Sequence, residues 1–259
     1  MVKDTMKKPK KHITDCYQLL ISLFFSAITI SASAANNVLI WPIDPIIPAA
    51  QKSSTLWVEK KGEQAAIMQI RVLGWQQLAG KEGYVDQQNS TIASPPIVRI
   101  EAGKRQLIRL IKQIEPPAGQ EQAYRILIDE IPTPTLSAKA QEGLGVNFQM
   151  RYSIPLFVYG DGLAYDNLAA EKNSQQPKLS WQLVDQQGRK MLEVTNRGAI
   201  HARLSDVSLQ QGGLNKKVSD GLLGYVLAHS IQRWPVSVNS ATSLTMQVNN
   251  QKNVKLGMK

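Results

Sequence analysis

The sequence predicts an all-β protein built as two β-sandwiches, and three observations carry that expectation. Short runs rich in Val, Ile, Leu, Tyr and Trp recur every eight to fifteen residues. Clusters of Gly, Pro, Asn, Asp and Ser separate them, and no long stretch has the apolar spacing of an amphipathic helix. The third observation is the segment Val146 to Tyr159, VNFQMRYSIPLFVY, which alternates apolar and polar residues. Val146, Phe148, Met150, Tyr152, Ile154 and Leu156 fall on one face of a strand, and Asn147, Gln149, Arg151 and Ser153 on the other. So long a strand with so many bulky groups on one face either fills a sandwich core or offers itself to a partner that lacks a strand.

The chain opens as an export signal. MVKDTMKKPKKH supplies five lysines against one aspartate, and an uncharged run follows from Cys16 to Asn36. This basic stretch, the apolar LLISLFFSAITI and the small residues Ala32-Ser33-Ala34 are the three parts of a cleaved leader, expected over residues 1–34. The apolar stretch falls short of the ~20 residues a membrane span needs, so a retained anchor is disfavoured and the mature protein is not expected to be integral to a membrane. Cys16 does not read as a lipoprotein site, because Asp15 puts charge where small and apolar residues belong. Cleavage removes the only cysteine, so the mature chain of about 225 residues has no disulfide and holds together by burial alone. That length suffices for two cores. The leader carries five lysines and two aspartates, so of the formal net charge of +10 the mature chain keeps +7. No run of Lys and Arg interleaved with aromatics follows residue 34, which argues against nucleic acid as a partner.

The first domain is expected over residues 35–159, with strands at 38–47, 54–59, 65–75, 97–101, 106–112, 124–131 and 146–159. Seven strands in about 125 residues have the size of an immunoglobulin-like sandwich. Pro42, Pro45 and Pro48 remove ladder donors from the first run, so it lies at an edge or switches between sheets. Glu101-Ala102-Gly103-Lys104 reads as a tight turn in which Gly103 supplies a positive φ. Composition shifts after Tyr159 to Gly160-Asp161-Gly162 and then to a polar stretch around Glu171 to Pro177, which sets the second domain at residues 160–259. Its strands are expected at 179–184, 190–195, 202–209, 224–227, 231–234 and 243–248.

Groups for catalysis are scarce. Only His201 and His229 follow the leader, cysteine is absent there, and no pair of histidines has metal-ligand spacing. No GxSxG turn presents a serine, and Gly143-Leu144-Gly145 lacks the strand-then-helix setting of a phosphate loop. Asn89-Ser90-Thr91 fits a glycosylation sequon and marks an exposed loop at most. The expectation is a protein that is not an enzyme and uses no cofactor or metal.

The order PPIVRIEAGKRQLIRL, then YRILIDEIP, then a loop, then the alternating strand ending in IPLFV, then further β-structure, resembles the periplasmic pilus chaperones, the PapD-like family of the chaperone-usher pathway. The likeness is most specific over residues 95–158 and loose in the second half, where LEVTNRGAIHARLSDV stands. It implies two immunoglobulin-like domains set at an angle, with pilin subunits bound along the first and an outer-membrane usher as the acceptor. Its last strand would complete a subunit that lacks one, with Val146, Phe148, Met150 and Tyr152 inserting into the client's groove and Ile154, the last of the donor set, continuing with Leu156 into the chaperone itself. At roughly 1.5 to 3 kcal/mol per large side chain removed from water, four insertions stabilise a client by several kcal/mol after ordering costs. Whether the free protein self-associates to hide this strand is left open.

The chain departs from the family's better-known members in two places. The resemblance implies an arginine in the first strand and a lysine in the alternating strand that together hold the client's C-terminal carboxylate, but residues 38–48 contain no basic group and Pro155 stands where the lysine would. A carboxylate in a cleft suits a bidentate guanidinium, which makes Arg99, Arg109 and Arg125 the candidates, Arg99 and Arg109 foremost. Each has the alternative of a surface ion pair. The family's basic residue after IPLF is replaced by Tyr159, so the contact between domains is expected to differ. With the absent loop cysteines, these differences resemble the archaic branch of the family. The competing reading is an exported β-sandwich adhesin that uses the same scaffold as a static surface.

Overall fold

The computed structural model describes residues 38–132, 150–163, 176–249 and 251–257. No helix occurs among them, and none is therefore long and apolar enough to cross a membrane. Residues 1–37, including the expected leader, lie outside the described set, as do Val146 and Phe148.

Among the described residues the first sandwich has ten strands. These are β1 (Val38–Trp41), β2 (Ile46–Ile47), β3 (Ser53–Lys60), β4 (Ala66–Leu78), β5 (Lys81–Val85), β6 (Thr91–Ser94), β7 (Ile97–Ile100), β8 (Arg105–Lys112), β9 (Glu121–Ile131) and β10 (Arg151–Tyr159). One sheet has the order β1-β3-β8-β6, and the other β2-β10-β9-β4-β5 with β7 also pairing β4. The proline-broken first run switches sheets: β1 pairs antiparallel with β3, whereas β2 lies parallel to β10. The turn before β8 forms as expected, with Gly103 at φ 68° and the Lys104 N–H donating to the Glu101 carbonyl.

The second sandwich uses β11 (Leu179–Gln186), β12 (Arg189–Asn196), β13 (Ala202–Gln211), β14 (Leu214–Lys217), β15 (Leu222–Val226), β16 (Ile231–Pro235), β17 (Ser243–Val248) and β18 (Gln251–Gly257). They form sheets β11-β12-β16 and β14-β13-β17-β18, with β15 added on β13. Four strands have no counterpart in the sequence reading: β5, β6, β14 and β18.

Alternation places the cores. Even-numbered residues Met68, Ile70, Val72, Ile126, Ile128, Ile154, Leu156 and Val158 face into the first sandwich with Leu56, Ile108 and Leu110. Trp181, Leu192, Val194, Leu204, Val207, Leu209 and Leu244 fill the second. A third apolar cluster joins the two: Trp75, Phe157, Tyr159 and Leu163 meet Ile200, Tyr225 and Leu227. Its origin is visible along β4, where burial follows even residues up to Val72 and odd residues from Leu73 to Gln77. The outer face of the sheet is solvated along most of its length and is covered by the second sandwich at this end.

Candidate functional site

The edge strand β10 carries the segment the sequence singled out. β9 flanks it throughout, from Arg151 opposite Asp129 to Tyr159 opposite Glu121. On its other side β2 reaches only Phe157 and Val158, so Arg151 to Leu156 have one edge unpaired by any described strand. Side-chain availability changes along the strand: Met150 is 44% exposed, Tyr152 packs partly against the first core, and Ile154 is 7% exposed within that core. The start of β10 is held down by Asp129, whose two carboxylate oxygens accept from Arg151 Nε and Arg71 Nη2. Burial alone would raise the Asp129 carboxyl, but the hydrogen bonds and charges of the two arginines outweigh it and keep the group below the ordinary aspartate range.

At its other end β10 enters a cleft of about 470 Å³ between the sandwiches. The cleft's charged walls are Asp44, Arg125 from β9 and Arg203 from β13. Register explains the place of Arg125, which stands directly opposite Pro155, the position where a lysine was implied. Cross-strand neighbours on one face lie about 5 Å apart, so a guanidinium on β9 occupies nearly the same space as an ammonium on β10 would. The Arg125 Cζ sits 3.7 Å from the Trp75 ring centroid and 5.7 Å from that of Tyr225. Its Nε is buried without a hydrogen-bond partner. Among the described residues neither Arg125 nor Arg203 forms an ion pair, and with Asp44 as the one opposing acid the cleft keeps an excess positive charge. Burial raises the Tyr225 phenol pKa, while the nearby Arg203 and Arg125 charges pull it down.

The other two candidate arginines lie elsewhere. Arg99 on β7 is exposed and donates from Nε to Glu101 at 2.7 Å. Arg109 on β8 is exposed on the first sheet, beside Thr55 and Ser94. Sequence reasoning missed Arg203, although it lies within LEVTNRGAIHARLSDV. In the sequence His201 has no metal-ligand spacing and no catalytic partner. His201 is buried in the joint, where its Nδ1 lies 2.7 Å from Glu121 Oε2, its backbone N–H donates to Glu121 Oε1 at 3.0 Å, and its ring stacks on Phe157 at 3.4 Å. Tyr159 is buried in the same joint, which here is chiefly apolar.

Residues 43–164 match the family model for the pili and flagellar-assembly chaperone, PapD N-terminal domain. Among solved structures, a match of TM-score 0.70 and 34% identity covers 86% of this chain and 98% of the other, in the CsuC–CsuE chaperone-tip adhesion subunit pre-assembly complex from archaic chaperone-usher Csu pili of Acinetobacter baumannii. The E. coli chaperone DraB matches at TM-score 0.56 and 19% identity, over 86% of this chain and 96% of that one. The Salmonella enterica SafA pilin–SafB chaperone complex matches at 0.58 and 17%, over 87% and 95%. The last two likenesses bear on fold alone. A comparison with curated proteins returns no match. Fold and family model together define a pilus-assembly chaperone. The chain belongs to the PapD-like family of the chaperone-usher pathway, and its 34% match to an archaic member agrees with the branch its sequence resembles.

Proposed function

We propose that this protein works in the periplasm, binds pilus subunits by lending the edge of β10 and the segment before it to an incomplete subunit fold, and delivers them to an outer-membrane usher. The observation that carries this reading is the edge of β10 over Arg151 to Leu156, unpaired by any described strand and continuous with an exposed Met150. Backbone groups on such an edge pair with an added strand, and the two-residue side-chain period sets its register. Val146, Phe148, Met150 and Tyr152 are the inserting residues, while Ile154 holds the strand in its own core. The cleft receives the client's terminal carboxylate, for which Arg125 and Arg203 are the ligands. Arg125 is favoured over Arg99 and Arg109 because it alone of the three lines the cleft.

Met150→Asp tests strand donation, because the side chain is exposed and its loss spares the core. Losing one inserted side chain worth about 1.5 to 3 kcal/mol weakens client binding roughly ten- to a hundredfold. Co-purification of a pilin from the same genome should fall while the thermal midpoint of the free chaperone stays put. An unchanged pilin yield with Met150→Asp and with Phe148→Asp would remove strand donation from consideration and leave the adhesin reading.

A further inference from the structure

The geometry points to Trp75 and Tyr225, one aromatic from each sandwich, as positioning residues for Arg125, so that a client carboxylate is gripped only while the two sandwiches are docked. This rests on the reading that the cleft binds a carboxylate. Arg125 lies on the outer face of the sheet, where a free guanidinium would sample many rotamers in water. Here its Cζ lies over the Trp75 ring, 3.7 Å from the centroid, and 5.7 Å from that of Tyr225. The two rings are themselves packed edge to face, 5.6 Å apart at 77°. Stacking of this kind suits arginine and not lysine, because a planar cation lies flat on a ring while its N–H groups point outward in the plane. The rings thus hold the guanidinium through their faces, Nε stays buried and unpaired, and the Tyr84 hydroxyl is the one side-chain hydrogen-bond neighbour of the fork among the described residues. No carboxylate among the described residues occupies the fork, in contrast to Arg233, which donates to Glu193 from Nε and Nη2 at 2.7 Å.

Each sandwich supplies part of the device. Trp75 and Arg125 come from β4 and β9, and Tyr225 from β15, so separating the sandwiches strips one wall from the guanidinium. Binding and docking are then linked: a carboxylate that binds only the docked form stabilises that form.

The test uses the whole mature chain and two synthetic strand-forming peptides, identical except that one ends in a free carboxylate and the other in an amide. Titration calorimetry gives the ratio of their affinities. Wild type is expected to prefer the free acid by roughly tenfold or more, the range of a charge-assisted bond. Trp75→Leu and Tyr225→Leu should each bring the ratio close to one, whereas Trp75→Phe and Tyr225→Phe should keep most of it. A second readout covers the risk that Trp75→Leu is poorly folded. With 5-fluorotryptophan incorporated, the Trp75 fluorine resonance, assigned by its loss in Trp75→Phe, should shift with the acid peptide and not with the amide. If Arg125→Gln abolishes the preference but both leucine variants keep it, or if the Trp75 resonance stays still while the acid binds, the positioning role is overturned and the carboxylate site survives. A preference that is absent in wild type, or that persists in an Arg125→Gln, Arg203→Gln double variant, overturns the carboxylate site and the positioning role together.

Discussion

Asp129 shows how one residue fixes the strand on which the proposed function depends. Its carboxylate receives hydrogen bonds from Arg71 on β4 and Arg151 on β10, so three neighbouring strands are tied where β10 begins. Asp129→Asn leaves two cations facing each other across a neutral amide. The expected loss is about 1–2 kcal/mol, the lower part of the range for charged hydrogen bonds because Arg151 is well solvated. Since the folded carboxyl titrates below its ordinary value of 3.8, its contribution is complete above pH 3.8 and disappears as pH falls through the lower folded value. Urea unfolding of wild type and Asp129→Asn over a pH series should show a constant gap at neutral pH that closes in acid. A gap that widened in acid would contradict the assignment. At this scale the sequence offered the residue type that would suit a carboxylate, and Arg125, the proposed ligand, was among its three candidates. It ranked Arg99 and Arg109 above it because pairing register, which brings Arg125 opposite Pro155, is not readable from spacing. Arg203 comes from the other sandwich and left no local signal near the strands under scrutiny.

At the scale of elements, legibility tracked burial and length, and the four-residue β6 was missed although Thr91 and Ala93 are buried. Strands with one apolar face against a core, such as β4, β9, β10 and β13, stood out as alternating runs. β5 (KEGYV) and β14 (LNKK) did not, because nearly every residue in them is solvated, which is how edge strands avoid pairing with other molecules. β18 (QKNVKLG) is an edge of the same kind. The opposite case is the end of β10, where the sequence marked Gly160-Asp161-Gly162 as a change of composition. The structure gives Gly160 a packing reason, since a Cβ there would lie 2.1 Å from the Pro117 carbonyl oxygen. That carbonyl belongs to the turn leading into β9, and the Gly160 N–H donates to Gln120 in the same turn. Gly160→Ala must therefore push two backbone segments apart, at about 1–3 kcal/mol. A lower urea midpoint with an unchanged slope would show this, and an unchanged midpoint would mean the turn gives way freely.

For the whole molecule, the sequence anticipated two sandwiches but not what joins them. The joining groups are 80 to 150 residues apart in the chain, and no periodicity links such positions. The centre of the polar part is Gln77, whose amide acts as a peptide group inserted between strands: Nε2 donates to the Tyr225 carbonyl at 2.8 Å, and Oε1 accepts from the Leu227 N–H at 2.9 Å. Gln77 is buried, so Gln77→Ala strands a donor and an acceptor away from water and costs about 1–3 kcal/mol. That cost falls on the joint, because neither sandwich's own core contains Gln77. Native-state hydrogen exchange should then show faster exchange at Tyr225 and Leu227, with Ile126 and Val207 still protected at the level of their own cores. Equal losses at all four amides would mean that the sandwiches open as one unit. Because Tyr225 is also a wall of the proposed Arg125 site, the same variant should lower the acid-over-amide preference of the cleft without altering either proposed ligand.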